Sequence, residues 1–120
     1  MYRKSTLIAL SVVVVALYNC TTNTLAEEEI ADLPPIVESI TYDEDVAPIF
    51  ADNCVGCHSG PSPTAGFAID GYANARAGVE QGNVIDRIND ASNPMPPSGL
   101  MAPTDRQIIQ QWADDGFLEN

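Results

Sequence analysis

The chain has 120 residues, room for one small domain, and its apolar fraction of 45% allows a core. Seventeen acidic residues face five basic ones, for a net charge of −12. So acidic a surface repels nucleic acid and suits a cationic protein patch.

Taken from the N-terminus, residues 1–20 read as an export signal. Arg3 and Lys4 precede an apolar run over residues 7–17 broken only by Ser11. That run is shorter than the roughly 20 apolar residues a membrane span needs, and it has the flanks of a secretory signal. Cys20 follows, with Leu17 three positions before it and Asn19 just before it. This pattern resembles the lipobox of bacterial lipoproteins and implies a lipid anchor on Cys20. Cleavage after Ala26, in Thr24-Leu25-Ala26, is the alternative and releases a soluble protein. With the signal gone, three basic residues remain against seventeen acidic ones.

Residues 21–40 show no sustained helical or strand period. Glu27, Glu28, Glu29 and Asp32 repel one another and Pro34-Pro35 stiffens the chain, so the segment reads as a flexible acidic tether. The folded domain then spans residues 41–120.

Thr41-Tyr42-Asp43-Glu44 has the form of a capping box, and Val46, Ile49 and Phe50 follow at helical spacing towards Cys54. Pro48 either kinks this helix or opens one that starts near Asp45. Ile69 beside Asp70-Gly71 marks a turn, and residues 72–78 and 84–90 are helix-like pieces separated by glycines. Thr104-Asp105-Arg106-Gln107 is a second capping box, ahead of Ile108, Ile109, Trp112 and Ala113 on one face and Gly116 at a C-cap position. Nothing reads as a multi-stranded sheet. The expected fold class is all-α, and a domain this small usually needs a staple, metal or cofactor.

The chemistry concentrates in Cys54-Val55-Gly56-Cys57-His58, which holds two of the three cysteines and the only histidine. A thioredoxin-like dithiol needs a strand–helix context with its first cysteine at a helix N-terminus, and here the pair follows a helix. A structural zinc site needs four ligands, and the cluster supplies three. Cys-x-x-Cys-His is the attachment signal of c-type haem: two thiols meet the porphyrin vinyl groups, and the next residue's imidazole can bind iron. In an exported chain this is the favoured reading, with haem c bound through Cys54 and Cys57 and His58 as an axial ligand.

The second axial ligand follows by elimination. No other histidine exists and the only lysine, Lys4, lies in the signal. Methionine or an open site remains. Met95 sits in Asn93-Pro94-Met95-Pro96-Pro97, where prolines fix the backbone at low entropic cost. Met101, nearer the last helix, is better suited to packing apolar surface.

In order, TYDEDVAPIFADNCVGCH, SNPMPPSG and TDRQIIQQWADDGF resemble a small bacterial single-haem cytochrome c over about residues 41–118. The resemblance implies a cytochrome c-like fold in which the helix before Cys54 crosses the C-terminal helix, setting Ile49 or Phe50 against Ile109 or Trp112. It implies His58 as proximal and Met95 as distal ligand, and a prolyl carbonyl, Pro61 or Pro63, orienting the imidazole. The expected role is electron transfer, not enzymatic catalysis, between extracytoplasmic redox proteins such as haem or copper proteins. Asp43, Glu44, Asp45, Asp114 and Asp115 are candidates for steering a basic partner. Two alternatives stay open: a peroxidase or ligand sensor with an open sixth position, and a haem module docked in a larger redox complex.

Overall fold

Residues 29–120 are described by a computed structural model; the expected export signal, Cys20 and Ala26 lie outside these residues. The described part is all-α. Residues 29–31 are helical, and from residue 41 on the elements are a π turn, Tyr42–Val46, and the helices α1, Ala47–Asn53; α2, Tyr72–Glu80; α3, Val84–Asn89; and α4, Pro103–Asp114. A 3-10 turn, Thr64–Gly66, lies between α1 and α2. No strand forms among the described residues; Thr41 and Leu118 make a single parallel bridge. No helix among them is long and apolar enough to cross a membrane.

Pro48 shapes the start. It lies in the first turn of α1 and has no N–H to give to the carbonyl four residues back. The chain widens ahead of it, and Val46 N–H donates to the Thr41 carbonyl, five residues back, at 3.2 Å. This alters the expected capping box. The carboxylate that reaches back to the Thr41 N–H is that of Asp45, at 2.8 Å, instead of Glu44. The wider turn adds one residue before the acid comes round.

The second capping box does not form either. Pro103 occupies the first turn of α4 with its φ already set for a helix, which moves the cap to Ala102 and puts Thr104 inside. The C-terminal end is as the sequence implies. Gly116, at φ +87°, takes the left-handed position. Phe117 N–H donates to the Trp112 carbonyl at 2.9 Å and Gly116 N–H to that of Ala113 at 3.1 Å, a complete Schellman motif.

The core is built on α4. Its Arg106, Ile109 and Trp112 recur every three residues and are all buried. Trp112 stacks near Tyr42 at 5.8 Å and edge-on to Phe117 at 5.0 Å, between ring centroids. Its indole N–H donates to the Leu118 carbonyl at 2.8 Å, and the Tyr72 hydroxyl donates to that of Phe117 at 2.8 Å, so both polar tips are satisfied. Tyr42 N–H donates to Leu118 at 2.8 Å and ties the start of the domain to its end. Ile49, Phe50, Ile109 and Trp112 share one buried cluster, and the ring contact to Trp112 comes from Tyr42 in the π turn.

The stretch expected to be a free tether is in part docked. Gln107 Nε2 donates to the Pro34 carbonyl at 3.0 Å, Ile40 N–H donates to Asp115 Oδ2 at 3.0 Å, and Ile40 is buried. Glu29 pairs with Arg106. Apolar residues at 36 and 40 give this segment a reason to pack that its acidic start conceals. Between these contacts most of residues 29–39 are exposed, Val37 at 92%, and the part of the expected tether before residue 29 lies outside the described residues.

Candidate functional site

α1 ends at Cys54, whose N–H still donates to the Phe50 carbonyl at 2.8 Å. The chain then coils into a tight turn: Cys57 N–H and His58 N–H both donate to the Cys54 carbonyl, at 3.1 and 2.9 Å. This turn throws Cys57 to the surface and leaves Cys54 half-buried, both as free thiols. Burial pushes the Cys54 thiol up to about 11. Its place at the C-terminal, partially negative end of a helix acts the same way. A redox dithiol needs the opposite environment, so the geometry disfavours that reading.

His58 is held from two sides. Its carbonyl accepts from Ile69 N–H at 2.8 Å, and its ring Nδ1 lies 2.9 Å from the Phe67 carbonyl. A carbonyl only accepts, so Nδ1 carries the hydrogen, and in the neutral ring Nε2 is the nitrogen with the lone pair. The orienting carbonyl thus belongs to Phe67 and not to Pro61 or Pro63. Thr64 N–H donates to Cys57, and the following 3-10 turn brings residue 67 alongside the imidazole. The Phe67 ring stands edge-on to His58, with centroids 5.5 Å apart.

Cys54, His58 and Met95 line one cavity of about 230 Å³. Its walls include Phe67, Ile69, Val84 and Ile88, so the space is predominantly apolar. α3 supplies Val84 and Ile88 at i, i+4, on a face that is otherwise core. Met95 comes from the loop after α3 and is tied back by its N–H to the Arg87 carbonyl at 3.0 Å. Met101 is elsewhere: it is 5% exposed and packs in the core cluster. The two methionines are therefore separated as the sequence suggests. Among the described residues no three His, Cys, Asp or Glu side chains converge to hold a metal ion, so the zinc alternative has no ligand cage there.

The donor set in the cavity is the Cys54 thiol, an imidazole with a free Nε2 and a thioether, around apolar walls, with the exposed Cys57 thiol outside the lining. That set fits a covalently attached haem. Compared with family models, curated proteins and solved structures, the chain matches none.

Of the acids named for steering, two serve the fold. Asp45 accepts from Thr41, and Asp115 accepts from Ile40 and Gln111. Asp43, Glu44 and Asp114 are exposed. Two participants escaped the sequence reading. Phe67 had no signal, because what it contributes is a backbone carbonyl. Arg106 had one: it lies at i−3 from Ile109 and i−6 from Trp112, on the buried stripe.

Proposed function

We propose that this chain is a small exported single-haem c-type cytochrome, anchored by lipid at Cys20, that passes electrons between extracytoplasmic redox proteins. One observation carries the reading: Cys54, His58 and Met95 face a common apolar cavity, with His58 Nδ1 occupied and Nε2 left free.

Cys54 and Cys57 would hold haem c as thioethers, and His58 and Met95 would ligate its iron. When bound, the haem supplies an iron that cycles between ferrous and ferric states. The chain's own groups decide how that chemistry is used. The Phe67 carbonyl fixes the imidazole tautomer and keeps Nε2 available as a ligand. Met95, in the wall of the same cavity, would supply a thioether ligand, which favours the reduced state more than imidazole or thiolate does. Ile69, Val84 and Ile88 give the cavity apolar walls, which would disfavour the extra charge of an oxidised iron. Together these set the potential, which is what a protein contributes to such a cofactor.

The cavity of 230 Å³ is below the roughly 300–1,000 Å³ of enclosed ligand pockets. A porphyrin would exceed it and keep part of its rim at the surface, beside exposed Cys57. With His58 and Met95 both committed to the iron, the chain's residues would serve electron exchange and not substrate chemistry. His58 is the only histidine in the chain, so a distal imidazole for peroxide chemistry is lacking.

The test is spectroscopic and kinetic. Protein from a host that matures c-type haem should show a low-spin reduced spectrum, and carbon monoxide should bind only slowly. Electron exchange with a basic partner should slow as salt rises, because Asp43, Glu44 and Asp114 are screened beyond roughly 10 Å at 0.1 M. Rapid carbon monoxide binding would favour an open sixth position and overturn the electron-transfer reading.

A further inference from the structure

Arg106 is the one charged side chain fully buried among the described residues, at 0% exposure. Burying a guanidinium is unfavourable unless its fork of donors is satisfied. Its Nε–H donates to the Met101 carbonyl at 3.1 Å, and Nη1 donates to Asn89 Oδ1 at 2.9 Å. Nη2 pairs with the Glu29 carboxylate. Two of these partners have a meaningful place in the chain. Asn89 is the last residue of α3, and Met101 stands just before α4. Between them runs the whole loop that carries Met95.

Within that loop the bonds gather at its start and at the Met95 N–H, which donates to the Arg87 carbonyl at 3.0 Å. Asp90 Oδ1 accepts from Ser92 N–H at 2.9 Å and Asn93 N–H at 3.2 Å, which fixes the beginning. Past Met95, Gly99 N–H donates to Pro96 at 3.2 Å, while Pro94, Pro96 and Pro97 have no N–H to give. Between Met95 and Met101 the loop has few bonds of its own, so the separation of its two ends bears on where Met95 sits.

We propose that Arg106 is a positioning residue that clamps both ends of residues 90–100 and so holds the Met95 thioether in the wall of the His58 cavity. The clamp is a property of the fold; its effect on iron ligation rests on the function proposed above. A thioether is a weak ligand, so small displacements of its loop decide whether it competes with solvent or an added base. Partners that orient ligands from outside the metal's own shell are worth about 10–100-fold in affinity.

The experiment uses the haem-loaded protein and imidazole as a competitor for the Met95 position. Arg106→Lys keeps the charge but loses the fork, and Asn89→Ala removes one end of the clamp while sparing Arg106. Both variants should bind imidazole about tenfold or more tightly than wild type. Both should also show a weakened thioether–iron charge-transfer band, with helical circular dichroism retained. Trp112→Phe, a core change away from the loop, should lower thermal stability and leave imidazole affinity unchanged. Wild-type imidazole affinity in Asn89→Ala and in any folded Arg106→Lys would overturn the clamp. An equal shift in Trp112→Phe would also overturn it, by showing general loosening. If wild type itself lacks the charge-transfer band, the ligation reading fails and the clamp is judged by amide exchange. The Met95 N–H, bonded to Arg87, should then lose protection in Asn89→Ala, and unchanged protection would refute the clamp.

Discussion

Gly78 offers a sharp test of how the imidazole is held. It lies buried on α2, and a methyl group there would meet Phe67 Cζ at 2.7 Å, Cε2 at 3.2 Å and Val84 Cγ2 at 3.4 Å. Gly78→Ala therefore sets two effects against each other. In a helix interior alanine is favoured over glycine by about 0.8–1.0 kcal/mol. Overpacking a core costs typically about 1–3 kcal/mol. The packing term wins, leaving a net loss of about 1 kcal/mol near the middle of the range, or roughly 4–8 °C in Tm for a domain of this size. Phe67 cannot yield freely, because its carbonyl holds His58 Nδ1 and its ring stands against the imidazole. Phe67→Leu removes the colliding end of the ring. In its background the same Gly78→Ala change should be neutral or stabilising, and thermal melts of the four proteins measure the coupling. Gly82→Ala behaves differently, since its methyl would meet the Gly78 carbonyl oxygen at 2.4 Å, a backbone atom that Phe67→Leu cannot relieve. A rise in Tm of about 4–8 °C for Gly78→Ala in the wild-type background would refute the packing argument.

Met95→Leu should abolish the thioether–iron charge-transfer band at little cost in stability, whereas Met101→Ala should keep the band and lose about 2–5 kcal/mol on chemical denaturation. The reverse pattern would reassign the ligand. Asp90, at the start of this loop, titrates below the ordinary carboxylate range, chiefly because it accepts from the Ser92 hydroxyl and N–H. A depressed folded pKa gives stability that is present above the unfolded value and lost as pH falls through the folded one. Acid should therefore loosen the loop, and Asp90→Asn should remove that part of the pH dependence from a titration of the charge-transfer band; an unchanged acid midpoint would contradict this. In folded protein made without haem attachment, Cys57 should alkylate with iodoacetamide at pH 8 well ahead of Cys54. A thiol pushed up to about 11 is only about 0.1% thiolate there, and equal rates by peptide mass would count against the buried position of Cys54.

The parts of this molecule legible in the sequence are those written in local pattern. The periodicity of Ile109 and Trp112 and the glycine at 116 specify α4 and its end, because both depend on residues a few positions apart. The proximity of Cys54 to His58 is in the chain itself, and the prolines around Met95 single it out from Met101. What the sequence concealed depends on long-range closure. Both capping boxes failed because a proline nearby, Pro48 or Pro103, dictated the local backbone more strongly than a side-chain cap did. The carbonyl that orients His58 comes from Phe67, which reaches it only after a 3-10 turn. Arg106 lies within the expected second capping box and on the Ile109–Trp112 stripe, but its partners emerge only when α3, α4 and the segment at Glu29 come together. Likewise Ile40 looks like the end of a polar tether until Asp115 accepts its N–H.

The central claim is that haem is covalently fixed to Cys54 and Cys57. The most direct measurement is the mass of tryptic or intact protein after extraction with acidified organic solvent, using material from a haem-maturing host. The account predicts that colour and the added mass of one haem stay with the polypeptide, and that Cys54→Ser with Cys57→Ser removes both. Pigment passing into the organic layer, or a colourless protein with two alkylatable thiols, would contradict it.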